Sequence, residues 1–178
     1  ALAASGDEDG AQDHRWQMFQ RTLDDRYLRD YLKSLPDFED VEAEQKALDW
    51  AEKADDVHRV LALLTNWPAL DRASRLVVNR ISEMDGNAYY LLSPVAEHLQ
   101  AKFPLASVLL RRSLIEATLN GAKSTRYKHA VRHMLEIEGV DLQISDYGVH
   151  ETHEKFISRI KRKHPRKRGF WSMIGEAF

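Results

Sequence analysis

The sequence predicts an all-α protein of about eight helices, stacked as antiparallel helical hairpins, with no sheet. Apolar residues recur at three- and four-residue steps through most of the chain, as the buried face of an amphipathic helix requires. The 178 residues include only eight glycines and five prolines, and several of these separate the periodic segments. No window alternates polar and apolar residues between hairpin turns, so no strand is predicted.

Four periodic segments fill the first half of the chain, and residues typical of helix ends separate them. Pro36 interrupts the first, because proline has no amide hydrogen and disfavours helical geometry in the residue before it. Asp55 or Asp56 can cap the third with a carboxylate. The turn signal Asp85-Gly86-Asn87 closes the fourth. We expect these helices over residues 13–35, 41–54, 57–67 and 70–84.

Four further segments follow with short connections. Ser93-Pro94 either starts the first of them or kinks it. Phe103-Pro104 separates it from the next with almost no loop, which forces the two helices to be antiparallel neighbours. Gly121 offers a C-cap, and Ser124 can cap the following helix. We expect these helices over residues 92–103, 106–121, 124–138 and 150–164.

Helices with such short loops suit two arrangements, a tetratricopeptide-like right-handed α-solenoid or an irregular bundle. Ala96 and Ala130 are 34 residues apart, and each lies on the inner stripe of the first helix of a pair. That spacing is the period of a tetratricopeptide repeat. It favours solenoid-like packing for residues 87–164 and leaves the bundle as the alternative.

The chain is expected to form one helical-hairpin domain with short ends. Residues 1–12 are predicted to be disordered, or to depend on where the chain begins. Residues 13–168 form the domain, and residues 169–178 form an apolar C-terminal tail packed on the last helices. The chain does not begin with methionine, so we expect a part of a longer protein.

Composition predicts a cytoplasmic protein. No apolar stretch approaches the roughly 18 to 20 residues of a membrane span. The opening residues lack the basic start and the apolar middle of a signal peptide. Zero cysteines remove disulfides, thiolate metal sites and cysteine nucleophiles together, and they fit a reducing compartment.

Charge is distributed unevenly although the net charge is only −2. Residues 1–60 carry 16 acidic and 8 basic side chains, a net charge of −8. Residues 155–178 carry 8 basic side chains and one glutamate, a net charge of +7. The asymmetry indicates either an interaction tail or two ends that attract each other across the fold.

No motif predicts catalysis, a cofactor or a metal. Nucleophile elbows and glycine-rich phosphate loops are absent from the sequence. His150 and His153 are three residues apart, whereas a zinc protease helix needs histidines four apart. His129 and His133 do have that spacing, with Glu136 one turn further on, but hydrogen bonding in a packed interface explains them better than a metal without a visible third ligand. The chain is therefore predicted not to be an enzyme.

The predicted function is a non-catalytic helical-repeat module for protein–protein interaction. Stacked helical hairpins expose a concave surface that can bind an extended segment or a helix of a protein or peptide partner. The residues expected to line that surface are Tyr89, Tyr90, Arg111, Arg112, Arg126, Tyr127 and Lys128.

The alternative is nucleic-acid binding through the basic segment 155–168. Clustered cations followed by Phe170 and Trp171 can neutralise phosphates and stack on bases. The other interpretation is a solvated helix end whose aromatic residues pack on the helices 124–138 and 150–164. A second basic strip, formed by residues 123, 126, 128 and 132, supports nucleic-acid binding only if it faces the same way. The cations concerned are Lys161, Arg162, Lys163, Arg166, Lys167 and Arg168.

Four stretches resemble the C-terminal half of a bacterial family of unknown function. The resemblance extends over about residues 15–172. Related helical segments also follow SWIM-type zinc fingers. The resemblance implies tetratricopeptide-like hairpins in a larger cytoplasmic protein and supplies no enzymatic activity. The zinc ligands of those relatives have no counterpart here, because the chain has no cysteine. The four stretches are LPDFEDVEAE (35–44), WPALDRASRLV (67–77), STRYKHAVRHML (124–135) and RKRGFW (166–171).

Overall fold

The structure, a computed structural model, describes the backbone of residues 2–36, 38–121 and 123–177, and side chains within residues 10–176 except at 37 and 122. These residues form ten α-helices, two short 3₁₀ turns and no strand, which confirms the all-α fold. The helices are α1 Leu2–Thr22, α2 Asp25–Lys33, α3 Asp40–Ala51, α4 Val57–Asn66, α5 Leu70–Arg80, α6 Tyr89–Gln100, α7 Pro104–Asn120, α8 Tyr127–Asp141, α9 His153–Lys163 and α10 Arg168–Ala177. The 3₁₀ turns are Ile81–Glu83 and Ser124–Arg126.

Two features raise the number of helices above the eight predicted. The periodic segment 13–35 is divided into α1 and α2, and α1 already begins at Leu2. Leu23 has a φ of 53°, a left-handed conformation that no helix continues. Asp24 then caps α2, because its carboxylate accepts the amide hydrogen of Arg26 at 2.9 Å. The second addition is α10, which occupies the predicted apolar tail 169–178. Phe178, part of that prediction, lies outside the described residues.

Pro94 lies inside α6, in its second turn. It therefore does not start the helix, which leaves the other predicted role, a proline within the helix. Its ring nitrogen carries no hydrogen for the Tyr90 carbonyl one turn earlier. Tyr90 is 75% exposed, so this part of the helix is open to solvent.

The chain divides into two compact units, residues 1–73 and 74–178. The boundary falls within α5, inside the region predicted to be one domain. Unit 1 carries 9 basic and 17 acidic side chains, a net charge of −8, and unit 2 carries 17 basic and 11 acidic side chains, a net charge of +6. The division by contacts is therefore also a division by charge.

Unit 1 is organised around aromatic and aliphatic side chains of its first helices. The Trp16 ring lies 5.5 Å from Phe19, 5.3 Å from Tyr31 and 6.0 Å from Trp50, measured between ring centroids. Arg72 donates to Asp49 at 2.7 Å and to Glu52 at 3.1 Å. These contacts tie α1, α2, α3 and the start of α5 together within the unit.

Unit 2 is built around α7, which packs between α6 and α8. The short 101–103 connection makes α6 and α7 antiparallel, and the Ser107 hydroxyl donates to the Ala96 carbonyl at 2.7 Å. Ala96 and Ala130 are 0% and 1% exposed, which confirms their predicted inner positions. A buried cluster from α7, α8, α9 and α10 forms the core of this unit, and its fully buried members are Val108, Ile115, Leu119, Met134, Ile137, Phe156, Ile160 and Phe170.

None of the described helices is both long and apolar enough to cross a membrane.

Candidate functional site

A cleft of about 360 Å³ in unit 2 is formed by α6, α7 and the first two turns of α8. Its inner wall comes from α7, with Leu114, Ala117 and Thr118. The turn before α6 and the start of α6 supply the opposite side, with Gly86, Asn87, Tyr89 and Ser93. The cleft lies within one compact unit, so its geometry depends on that unit alone.

Four basic side chains line the third side of the cleft: Arg126, His129, Arg132 and His133. Arg126, His129 and Arg132 follow one another at three-residue steps, and His133 is four residues after His129, so the four lie along one side of α8 and the turn before it. Ala130, Met134 and Ile137 lie on the face that is buried in the core. No Asp or Glu is among the described residues that line the cleft. The cleft therefore presents positive charge and hydrogen-bond donors without an acidic counterpart.

Arg111 lies behind His133 and fixes the orientation of its ring. The Arg111 side chain is 1% exposed, and its Nη1 lies 3.1 Å from His133 Nδ1. A guanidinium nitrogen can only donate, so His133 Nδ1 must accept. The proton of the neutral imidazole is then on Nε2. The pair gives His133 one defined tautomer.

The protonation state of His133 follows from its surroundings. Burial lowers the pKa of His133 to about 4, and the nearby charges of Arg111, Arg132 and His129 act in the same direction. His133 is therefore neutral at physiological pH. It can donate through Nε2 to a ligand without becoming charged.

Arg111 itself is held by several acceptors. Its Nη2 donates to Gln100 at 2.6 Å, and its Nε is 3.4 Å from the Ser107 hydroxyl. The carboxylate of Glu136 is 3.8 Å away. Burial still lowers the Arg111 pKa, with Glu136 opposing this effect. A buried cation with this many partners is a rigid support for the ring of His133.

An aromatic pair stands at the edge of the cleft. The Arg126 guanidinium lies over the Tyr89 ring at 4.6 Å, and Tyr89 and Tyr90 meet edge to face at 6.1 Å. Tyr89 is 53% exposed and Tyr90 is 75% exposed. Stacking uses the face of the guanidinium and leaves its N–H groups free for a ligand.

The structure brings together only part of the predicted partner surface. Tyr89 and Arg126 line the cleft, and Tyr90 and Lys128 are exposed beside it. Arg111, Arg112 and Tyr127 are instead 1%, 4% and 8% exposed. Such side chains cannot line an open surface, so the prediction is wrong for these three residues. The partner-binding role of the other four stays a prediction.

Arg112 is enclosed between α7 and α9 and is therefore not part of an open surface. Its guanidinium lies between the rings of Tyr147 at 5.2 Å and Phe156 at 4.8 Å. Nη1 donates to the Glu151 carbonyl at 2.7 Å, whereas Nε and Nη2 have no described hydrogen-bond partner. Burial lowers the pKa of Arg112. The side chain is a structural part of the α7–α9 interface.

The aromatic residues that follow the basic segment 155–168 pack on the protein and are not presented beside its cations. Phe170 is fully buried against Tyr127, with ring centroids 5.9 Å apart, and Trp171 Nε1 donates to the His164 carbonyl at 2.8 Å. The predicted packing of Phe170 and Trp171 is confirmed. Among the six cations, Lys167 is half-buried and the exposed ones are Lys161, Arg162, Lys163, Arg166 and Arg168.

The two histidine pairs of the sequence have different places in the structure. His150 lies 3.1 Å from the Val78 carbonyl, and Thr152 caps α9. His133 Nδ1 is occupied by Arg111, which leaves one nitrogen of that ring for any ligand. The described residues contain no group of three or more metal-ligating side chains. The four-residue spacing of His129 and His133 instead places both side chains in the cleft. The sequence could not indicate this role, because it does not show that Arg111 contacts His133.

Fold and site together define the class: an all-α protein with a basic cleft between three antiparallel helices. The chain matches the model of a family of unknown function, DUF6880, over residues 1–173, and it belongs to that family. The match includes the segment before residue 15, which the resemblance in the sequence did not reach. No curated protein and no solved structure matches the chain.

Proposed function

We propose that the chain is a non-catalytic binding module whose cleft between α6, α7 and α8 takes an acidic segment of a partner protein. The observation that carries this proposal is a cleft lined by two arginines and two histidines, with no carboxylate and an exposed tyrosine pair at its edge. Charge complementarity selects an anionic partner. Tyrosines supply contact area with little loss of conformational freedom.

The absence of catalysis belongs to the same proposal. His129 and His133 are the titratable bases of the cleft, and neither has a carboxylate partner there that could orient it for proton transfer. His133 is oriented by a cation and is held neutral. This arrangement supports binding of an anion rather than activation of a nucleophile.

The wider setting of the module is also proposed. We infer a tetratricopeptide-like, helical-repeat part of a larger bacterial cytoplasmic protein. The antiparallel packing of α6, α7 and α8 around small residues at positions 96 and 130 supports it.

A display library of random peptides tests the function. The chain should enrich peptides rich in Asp and Glu, and the double variant Arg126→Gln, Arg132→Gln should lose that enrichment. The matched control is Lys161→Gln, Arg162→Gln, which removes two exposed cations outside the cleft and should behave as the wild type. Equal enrichment by the wild type and the cleft variant would refute the proposal, as would enrichment without an acidic preference.

Nucleic-acid binding through residues 155–168 is a second candidate. Its support is that, among the described residues, Lys163 is the one cation of the six with a carboxylate within reach, Glu116 at 3.9 Å. The packed state of Phe170 and Trp171 removes the stacking part of that hypothesis. Phosphate contacts would make affinity for a mixed DNA and RNA pool fall steeply between about 50 and 200 mM salt. Here Lys161→Gln, Arg162→Gln is the test variant and the cleft variant is the control.

A further inference from the structure

The inner end of the cleft has the donors of a site for a single oxyanion. His133 lines the cleft but is only 5% exposed, so it lies at the deep end. Its Nδ1 is directed to Arg111, outside the cleft lining. No described protein group accepts a hydrogen bond from Nε2. This atom is also not one of the fully buried atoms that lack a partner. The Nε2–H is therefore the free donor that faces the cleft.

Arg111 makes this donor permanent. Because a guanidinium cannot accept, His133 cannot move its proton to Nδ1 without losing the 3.1 Å contact. The ring is also kept neutral, since its surroundings are buried and already positive. A neutral N–H in a fixed direction is the kind of donor that binds an anion at no reorganisation cost.

Two guanidinium groups that line the same cleft have little competing charge. Arg132 has one carboxylate in reach, Glu97 at 3.9 Å, with both side chains more than half exposed. Arg126 has no described ion pair and rests on Tyr89. Guanidinium groups bind carboxylates and phosphates through paired N–H donors. An incoming oxyanion therefore meets Arg126, which has no described ion pair, and Arg132, whose one carboxylate partner is exposed.

The volume of the cleft indicates that the oxyanion is attached to an organic group. A water molecule takes up about 30 Å³ of liquid. The cleft holds about 360 Å³, which is several times the size of an isolated carboxylate or phosphate. Leu114, Ala117 and the Tyr89 ring supply apolar surface for the remainder of the ligand.

We propose that His133, Arg126 and Arg132 form a binding site for one carboxylate or phosphate group carried by a larger ligand, with Arg111 as the residue that positions His133. The proposal deepens the proposed function and rests on it for the carrier, which would be an acidic side chain, a chain terminus or a phosphorylated residue of the partner segment. The oxyanion site itself is defined by the cleft alone.

The first test follows the full chain by nitrogen NMR of the histidine rings, with acetate and inorganic phosphate as separate probes. His133 should show the neutral Nε2–H tautomer before any probe is added. Each probe that binds should shift its Nε2–H resonance saturably. A His133 with its proton on Nδ1, or a resonance that neither probe moves, would overturn the proposal. Saturation by acetate alone, or by phosphate alone, identifies the source of the oxyanion.

Two variants separate donation from folding. His133→Asn retains an oxygen that can accept from Arg111, but its amide is too short to place an N–H at the position of Nε2. Arg132→Gln changes a side chain that is 54% exposed and leaves the core untouched. Each should weaken probe binding by roughly tenfold or more, as loss of a charge-assisted or buried hydrogen bond does. Arg162→Gln, outside the cleft, should leave binding unchanged. Unaltered binding in Arg132→Gln refutes the site even if His133→Asn fails to fold.

The outcomes distinguish this site from the partner proposal. If the peptide library enriches acidic sequences while neither probe moves His133, the oxyanion site is wrong and the partner-binding function stands. If the probes bind while no peptide is enriched, the site is correct and the carrier is not an unmodified acidic peptide; a phosphorylated residue and a small molecule are then the two carriers left. Peptide enrichment by the wild type and the His133 resonance are both measured on the folded, unmodified chain, so neither result depends on a variant that fails to fold.

Discussion

Adjacent arginines at positions 111 and 112 are buried by different means. Arg111 is surrounded by hydrogen-bond acceptors, with contacts to Gln100, Ser107 and His133. Arg112 lies between two aromatic rings and makes one hydrogen bond to a carbonyl. Successive residues of a helix point about 100° apart, so each guanidinium meets a different neighbour helix. One arginine therefore serves the cleft, and the other serves the interface with α9.

Both arginines belong to the predicted partner surface, although arginine is usually exposed and these two are buried. The other residues of α7 indicate that this helix is buried on most sides. Residues 106–112, 114 and 115 are all buried, and most of them are apolar. A helix that is apolar on every side is enclosed by its neighbours, and charged residues in it need partners there.

Gly86 makes a close approach that only a hydrogen side chain permits. A Cβ at this position would lie 2.1 Å from the Ser113 carbonyl oxygen and 2.9 Å from the Ala117 Cβ. The first of these is backbone of α7, which cannot rotate away. We expect Gly86→Ala to destabilise the protein by roughly 1 to 3 kcal/mol, the usual cost of overpacking. Urea denaturation followed by circular dichroism measures the change.

Gly139 provides the matched control for this substitution. It lies in α8 with nothing within 4 Å of the Cβ position. Gly139→Ala should be neutral or stabilise by up to about 1 kcal/mol, because alanine favours helix. Destabilisation of both variants to the same extent would show that the space beside Gly86 is not the cause.

At the scale of helices, the residues that begin and end helices made most of the fold predictable. Pro104 starts α7, and Gly121 follows its end as the predicted C-cap. Asp56 caps α4 through the amide of Arg59 at 3.1 Å. The break between α1 and α2 has no glycine or proline, and it was missed for that reason. Thr22 and Asp24, whose side chains bond nearby backbone groups, are the weaker signal that was present.

The candidate site was predictable only in part. Tyr89 and Arg126 belong to the surface predicted from the sequence, and both line the cleft. The sequence pointed to His129 and His133 as a metal pair and to Arg132 as part of a basic strip, but it did not place them in this cleft, because that depends on the register of α7 against α8. That register places Arg111 beside His133, 22 residues away in the chain. Helical periodicity gives the face of a residue but not the residue that it meets.

The C-terminal helix α10 should stabilise unit 2 through Phe170. This side chain is 0% exposed and packs on Tyr127, in a cluster with residues of α7, α8 and α9. We expect Phe170→Ala to cost about 3 to 5 kcal/mol, as is typical for a buried phenylalanine. Hydrogen exchange of the α8 amides reports the loss within unit 2.

Met173 is the control for this prediction, because it lies on the same helix and is 41% exposed. Met173→Ala should change stability by less than about 1 kcal/mol. A chain ending at Arg168 should lose at least the contribution of Phe170. An unchanged melting temperature for the shortened chain would mean that α10 does not hold the core and would make Trp171 available to a partner.

At the scale of the molecule, charge separates the two units more clearly than helix pattern does. The sequence showed an acidic beginning and a basic end, and the structure assigns net charges of −8 and +6 to units 1 and 2. The proposed cleft and the basic segment 155–168 both belong to the positive unit. An anionic ligand is therefore favoured there by the long-range field as well as by the local donors.

The stability of unit 2 should fall on acidification because of His133. In the folded chain the pKa of His133 is lowered to about 4 from 6.5, mainly by burial and then by Arg111. As the pH falls between these values, the unfolded chain takes up a proton that the folded chain does not. Stability is therefore complete above pH 6.5 and is lost progressively towards pH 4, by at most roughly 3 kcal/mol from this group.

His133→Asn isolates this contribution, since asparagine does not titrate and can still accept from Arg111. Hydrogen exchange of the α8 amides, repeated from about pH 8 to pH 4 with correction for intrinsic exchange rates, gives the free energy of opening for both proteins. Between pH 6.5 and 4 the wild-type value should decline more steeply than that of the variant. Carboxylates such as Glu151, whose pKa is lowered chiefly by its hydrogen bond to Arg159, act equally in both proteins. Parallel curves would mean that His133 is accessible to protons in the folded state, and that Arg111 does not hold it in one neutral tautomer.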